Sequence, residues 1–452
     1  MRRVVEGAAV VTVDSRRTEY PVGHVVLDGN RIVAVGPGRA PDELREGAEV
    51  LDAAGCLVTP GLVNTHHHLY QWVTRGLAVD ATLFEWLTTL YPVWAGIDED
   101  AVHVAASGAL AWLARTGCTT TTDHHYVFPS EGGDVFGAEI AAAQQVGLRF
   151  HPCRGSMDLG RSQGGLPPDD VVERLDDVLT GTDEAITRWH DPAPGSMVRV
   201  AVAPCSPFSV TGELMRAAAE LARARGVRLH THLAETLDEV DFCRERFGGT
   251  PLEYVEQLGW TGDDVWFAHA VHLDDKAVRR LGETRTGVAH CPSSNARLGA
   301  GTARARDLRD AGAPVGLGVD GAASNEAASL VEEVRHALLF ARAAGGPQAL
   351  TVRGALEMAT IGGAQVLGRA DEIGSLEPGK LADLVVWRLD TLAHHDIADP
   401  VAALVLGSAP PVELVLVDGE VVVRQGRVTT VDEHSLAVRA ADVHRSLVRK
   451  AG

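Results

Sequence analysis

The chain has 452 residues, 45% of them hydrophobic, which suits a large barrel carrying a second lobe. A formal charge of −20 argues against nucleic acid or an anionic membrane as partner, because both select a basic face. No apolar run approaches the roughly 20 residues of a membrane span, and the six cysteines, without a CxxC pair, read as reduced thiols of a cytoplasmic protein.

In chain order, the first segment, MRRVVEGAAVVTVDSRR, reads as a strand, because Glu6 and Asp14 interrupt its apolar character. HVVLDGNRIVAVG then places Asp28-Gly29 between β-branched runs, a hairpin signal. LVLVDGEVVVRQG repeats it near the other end around Asp418-Gly419, and ADLVVW at 382–387 adds a strand. Residues 1–57 and 374–434 are therefore expected to form one small β-sandwich domain built from both chain ends. The middle, 58–373, alternates. Strands are predicted at 61–68, 118–123, 148–154, 198–204, 227–232, 265–269, 287–290 and 315–320, with helix-like stretches such as FGAEIAAAQQVG and ELMRAAAELARARG between them. That alternation predicts an α/β fold, a (β/α)8 TIM barrel. Two more helices are expected from SLVEEVRHALLFARAAGG and TVRGALEMATIGGAQVLG, and 435–452 is expected to be a C-terminal helix.

Barrels of this kind carry their chemistry at the C-terminal ends of the strands. Those ends read NTHHH, TTDHH, CRG, APC, HTHLAE, FAHAVH, AHCPSSN and GVDGA, so the polar residues collect there. Alternation along a strand puts His66 and His68 on one side and His67 on the other. In HTHLAE, parity allows either His230 or His232 to face inward; His232 is nearer the strand's mouth and Glu235. Asp320 follows an apolar run at the eighth strand end. Three imidazoles and a carboxylate suit one zinc ion, with iron as the alternative, and zinc lowers the pKa of a bound water toward ~7. His269 ends the sixth strand near that water, whereas His272 reads as a loop residue.

Taken together, PGLVNTHHH, HTHLAE, HCPSSN, GVDG and GSLEPGKLADLVVW resemble the amidohydrolase superfamily, in its branch of guanine, cytosine and S-adenosylhomocysteine deaminases and triazine hydrolases. The resemblance covers nearly the whole chain. It implies metal ligation by His66, His68, His232 and Asp320, with Glu235 as proton shuttle, His269 beside the attacking oxygen and Asp320 as acceptor of the water proton. Binuclear members use a carboxylated lysine on the fourth strand. VRVAVAPC has none, and Lys276, Lys380 and Lys450 lie away from strand ends, so one metal is expected. Pro204-Cys205-Ser206-Pro207 also fails to complete the PCxxC zinc signature of the cytidine-deaminase type.

TTTTDHHY, LFEWLTTLYPVW and RGSMDLGRSQGGLPPDD are similar to the bacterial group that deaminates 8-oxoguanine to urate and ammonia. Gln71, three residues past His68, both donates and accepts hydrogen bonds, as an amide-bearing heterocycle requires. Arg154 either holds a carbonyl or anionic tautomer of the substrate or supports the rim through a salt bridge. Trp86 and Trp94, in the long loop after the first strand, either cover the bound ring or pack. Alternative substrates within the same chemistry are isoxanthopterin, guanine and hydroxytriazine amines. An inactive scaffold is the alternative of another class, and a homo-oligomer is compatible with the family.

Overall fold

The structure is a computed structural model describing residues 1–452. Eight parallel strands close into a barrel: β1 (Leu62–Asn64), β2 (Cys118–His125), β3 (Arg149–Ser156), β4 (Ala201–Pro204), β5 (Arg228–Leu233), β6 (Val265–His269), β7 (Gly287–His290) and β8 (Val315–Leu317). The barrel strands are almost wholly buried, as expected for a parallel sheet covered by helices on one side and filled by side chains on the other. Helices Val135–Val146, Gly212–Arg225 and Asp275–Thr284 stand where their apolar spacing predicts. Each starts at a side-chain cap, Asp134, Thr211 or Asp274, and such a cap contributes about 1 kcal/mol.

Three barrel strands are shorter than predicted, β4 beginning three residues late at Ala201. β1 stops at Asn64, and His67–His68 instead pairs with Asp320–Gly321 in a separate two-stranded ribbon. The Asn64 side chain takes over the ladder at this break: Oδ1 accepts from the Val319 amide at 2.9 Å and Nδ2 donates to Thr121 Oγ1 at 2.9 Å. The ribbon register sets Asp320 opposite His67, so His66 and His68 flank the carboxylate. A second difference lies at residues 83–94, predicted as loop. They form the helix Leu83–Trp94, started by a reciprocal capping box between Thr82 and Glu85.

The chain ends meet in one mixed sheet of nine strands. Cys56–Pro60 is its centre, pairing parallel with Arg2–Val11 and antiparallel with Leu384–Arg388. Both Asp-Gly hairpins form. At the second, Asp418 (φ 52°) and Gly419 (φ 80°) take the paired left-handed conformation of a tight turn. The sheet curls until its hairpin tips meet, with Asn30 Nδ2 reaching Asp418 Oδ1 at 3.3 Å. Val5, Val25, Leu384 and Leu414 lie in the core between the two layers so formed. Arg149 of β3 joins barrel to sheet through buried contacts to Asp383 (3.0 Å) and Asp418 (3.1 Å). Helix Glu433–Ala451 closes the chain, and His444 Nδ1 bonds the Val73 carbonyl beside the β1 loop. No helix is long and apolar enough to cross a membrane.

Candidate metal and catalytic site

At the C-terminal mouth of the barrel, four donor atoms converge. His66 Nε2 and His68 Nε2 stand 3.2 and 3.3 Å from Asp320 Oδ1, and His68 Nε2 is 3.1 Å from His232 Nε2. Ligands about 2.1 Å from one tetrahedral ion lie roughly 3.4 Å apart, so these spacings fit a shared cation. The tautomers lead to the same conclusion. A neutral imidazole carries one ring proton. His68 spends it from Nδ1 on the His124 carbonyl (2.7 Å), and His232 from Nδ1 on the Cys205 carbonyl (2.7 Å). Two Nε2 lone pairs therefore face each other, an arrangement that a cation between them stabilises.

His230 serves the third ring. Its Nδ1 donates to the Trp266 carbonyl (3.0 Å), leaving Nε2 to accept from His66 Nδ1 at 2.8 Å, and its ring stacks on Trp266. His66 Nε2 is thereby left as a lone pair aimed at the cluster. Both His230 and His232 face inward, and hydrogen bonding, which spacing alone does not reveal, separates them: His230 orients a neighbour, and His232 offers a free donor. Burial holds the His66 and His232 imidazoles well below their usual pKa range, the state in which they can bind a metal.

Around this cluster lies a narrow cavity of about 30 Å³. Glu235 lines it, and burial, reinforced by the Asp320 charge, pushes its carboxyl well above the usual range. His269 Nε2 is 3.7 Å from Glu235 Oε2 and 3.9 Å from Asp320 Oδ2. His269 (φ 71°) and Asp320 (φ 61°) both occupy the left-handed region, costing about 1–3 kcal/mol each. Surrounding bonds hold them there. Asn295 Oδ1 meets His269 Nδ1 at 2.9 Å, and Ser294 Oγ donates to Asp320 Oδ2 at 2.5 Å. Glu239 fixes the Glu235 loop by accepting from the Ala234 and Glu235 amides at 2.8 and 2.9 Å. Sequence reasoning assigned no role to Asn295, Ser294, Glu239 or His124, whose ring stacks on His232; HCPSSN alone pointed to the first two.

Gln71 is fully buried on the cavity wall, and neither of its amide atoms has a hydrogen-bond partner. Trp86 also lines the cavity, anchored through Nε1 to the Ala323 carbonyl, whereas Trp94 packs away from it and donates to Thr74. Arg154 is not brought to this cavity. It alternates with the inward Cys153, so its side chain leaves β3 on the helix side, forms a two-pronged pair with Glu173 (2.6 and 2.9 Å) and stacks on Phe128. The substrate contact expected of it is corrected to a rim salt bridge. His67 bonds the His68 amide through Nδ1 and stays outside the donor cluster, and His272 bonds the Ala300 carbonyl in a loop.

A family model described as "Amidohydrolase family" matches residues 57–422. An 8-oxoguanine deaminase of Pseudomonas aeruginosa is 46% identical over 92% of this chain and 93% of its own length. An isoxanthopterin deaminase from an unknown prokaryotic organism is 36% identical over 99% and 97%. Among solved structures, an atrazine chlorohydrolase of Arthrobacter aurescens TC1, complexed with zinc, superposes with a TM-score of 0.93 at 34% identity, covering 98% of this chain and all of that one. The chain belongs to the amidohydrolase family and is a metal-dependent hydrolase acting on C–N bonds.

Proposed function

We propose that this protein removes the exocyclic amine of 8-oxoguanine by hydrolysis, giving urate and ammonia. The observation that carries the reading is the pairing, along one pocket, of the donor cluster with a buried Gln71 whose amide has no partner. Buried polar groups are almost always bonded, so Gln71 calls for a ligand offering both a donor and an acceptor on one flat edge. An oxidised purine does so. The similarity to an 8-oxoguanine deaminase supports it over other amino-heterocycles.

His66, His68, His232 and Asp320 would hold one divalent cation, zinc by the nature of the donors, and that ion supplies the Lewis acidity that readies water for attack. The remaining work falls to the chain. Glu235, whose burial favours the protonated carboxyl, gives its proton to the ring nitrogen beside the amine-bearing carbon as water oxygen adds there. Asp320 takes the water proton, with Ser294 holding its Oδ2 in place. His269, oriented by Asn295, steadies the charge developing on the added oxygen. Asp320 passes its proton to the amine, so ammonia leaves instead of an amide ion, and the hydroxyl proton returns to Glu235 as the tetrahedral carbon becomes the carbonyl. Residues 58–373 carry this chemistry, and the composite domain, 1–57 with 374–434, braces the barrel floor. The acidic surface and six free, buried cysteines fit a cytoplasmic enzyme of small molecules.

Steady-state kinetics on 8-oxoguanine, guanine, isoxanthopterin and hydroxytriazine amines test the substrate. 8-Oxoguanine should give the highest kcat/KM, and a higher value for another substrate refutes the assignment. Gln71→Leu removes the amide directly and leaves the four donor residues themselves unchanged. The expected result is a KM raised roughly tenfold, the equivalent of one lost hydrogen bond, with unchanged metal content.

A further inference from the structure

Glu333 lies on the helix Leu330–Gly345 and is only 1% exposed, whereas its neighbour Glu332 stays partly exposed. A carboxyl so deeply buried needs hydrogen-bond partners. Its two oxygens find them on two separate segments. Oε2 accepts from the Ser293 amide at 3.1 Å, and Oε1 accepts from Asn325 Nδ2 at 2.9 Å. Ser293 belongs to the short helix Pro292–Arg297 after β7, and Asn325 to the loop after Asp320.

Both segments lead to Asp320. Asn325 Nδ2 donates a second time, to the Val319 carbonyl at 2.9 Å. That carbonyl belongs to the peptide plane entering Asp320, whose N–H donates to the His66 carbonyl at 3.1 Å. A plane held at both edges keeps Asp320 at its left-handed φ of 61°, a conformation costly for a non-glycine residue. On the other side the helix grips Ser293 twice, through its amide by Glu333 and through Oγ by His336 Nδ1 at 2.7 Å. The two residues that follow are Ser294, which donates to Asp320 Oδ2, and Asn295, which orients His269.

We propose that Glu333 is a positioning residue for the metal centre, fixing both the backbone and the carboxylate of Asp320 from behind the site. This role rests on Asp320 as a metal donor and is independent of which heterocycle reacts. Glutamine cannot replace it. Both Oε positions face donors, so the NH₂ group of an amide meets an N–H whichever way it turns.

Zinc affinity of the full-length protein, read by competition with a chromophoric chelator, tests this role without recourse to turnover. Glu333→Gln should raise the zinc Kd roughly 10–100-fold, the range for a lost outer partner of a metal ligand, with its folded circular-dichroism spectrum retained. Asn325→Ala, which frees the Val319 carbonyl, should weaken zinc in the same direction. In the double variant the glutamine carbonyl can turn to Ser293 and its NH₂ no longer meets a donor, so the two losses should not multiply. A folded Glu333→Gln with a Kd within about twofold of wild type overturns the proposal, as do losses that multiply. Where Glu333→Gln does not fold, an unchanged Kd in Asn325→Ala overturns it. Asp320→Asn separates the two readings: an unchanged Kd there removes the metal site and this role together, whereas a loss there with none in Glu333→Gln removes this role alone.

Discussion

Glu235→Gln lowers kcat by roughly 10²–10⁴-fold and leaves metal content unchanged, the range general acid–base catalysis supplies. The amide keeps the size of the carboxyl, and Glu235 stands outside the four-donor cluster, so the substitution removes proton delivery and little else. The loop itself is held by Glu239 through the Ala234 and Glu235 amides, which the substitution leaves in place. KM should change far less than kcat, because the interaction lost belongs to the transition state. Rapid turnover by a correctly folded variant would remove Glu235 from its role. Stopped-flow or steady-state assays with parallel metal analysis decide it.

Asp320→Asn fails in a different way. The carboxylate faces His66 and His68 through Oδ1 and the space before His269 through Oδ2. An amide brings no charge and presents an N–H₂ group to one of these sides. Removing even an outer partner of a metal ligand costs about 10–100-fold in metal affinity, and loss of a ligand should exceed that. The expected outcome is metal affinity reduced more than roughly 100-fold, and a kcat that stays depressed when excess zinc refills the site, because the proton acceptor is gone. Equal metal content and equal rate in the variant would exclude Asp320 from both roles.

Much of this architecture was legible because a parallel barrel buries its strands on both faces. Runs such as VWFAH and GVAH therefore stand out as apolar, and the polar residues that interrupt them fall at the strand mouths. His66, His68, His232, Glu235, His269 and Asp320 do gather at one mouth. The breaks in the first and eighth strands were not legible, since they depend on an Asn64 side chain substituting for a ladder bond between segments 255 residues apart. Which of His230 and His232 offers a free nitrogen depends on where each Nε2 points, that of His230 being taken by His66 Nδ1, which only the packed barrel reveals. Two misreadings had signals available. Thr82-x-x-Glu85 ahead of an apolar stretch marks a helix start, and Arg154 shares the outward parity of Phe150 on β3. Asn295 stood in the HCPSSN motif without a role, because its partner His269 comes from another strand, whereas Glu239 binds amides only four and five residues upstream.

Diffraction from zinc-loaded crystals, recorded on both sides of the zinc absorption edge, tests the central claim most directly. The result predicted is an anomalous peak at the barrel mouth, about 2.0–2.2 Å from Nε2 of His66, His68 and His232 and from Asp320 Oδ1. A fully active crystal with no peak there, its three imidazoles turned apart and bonded to protein or water, would contradict the account.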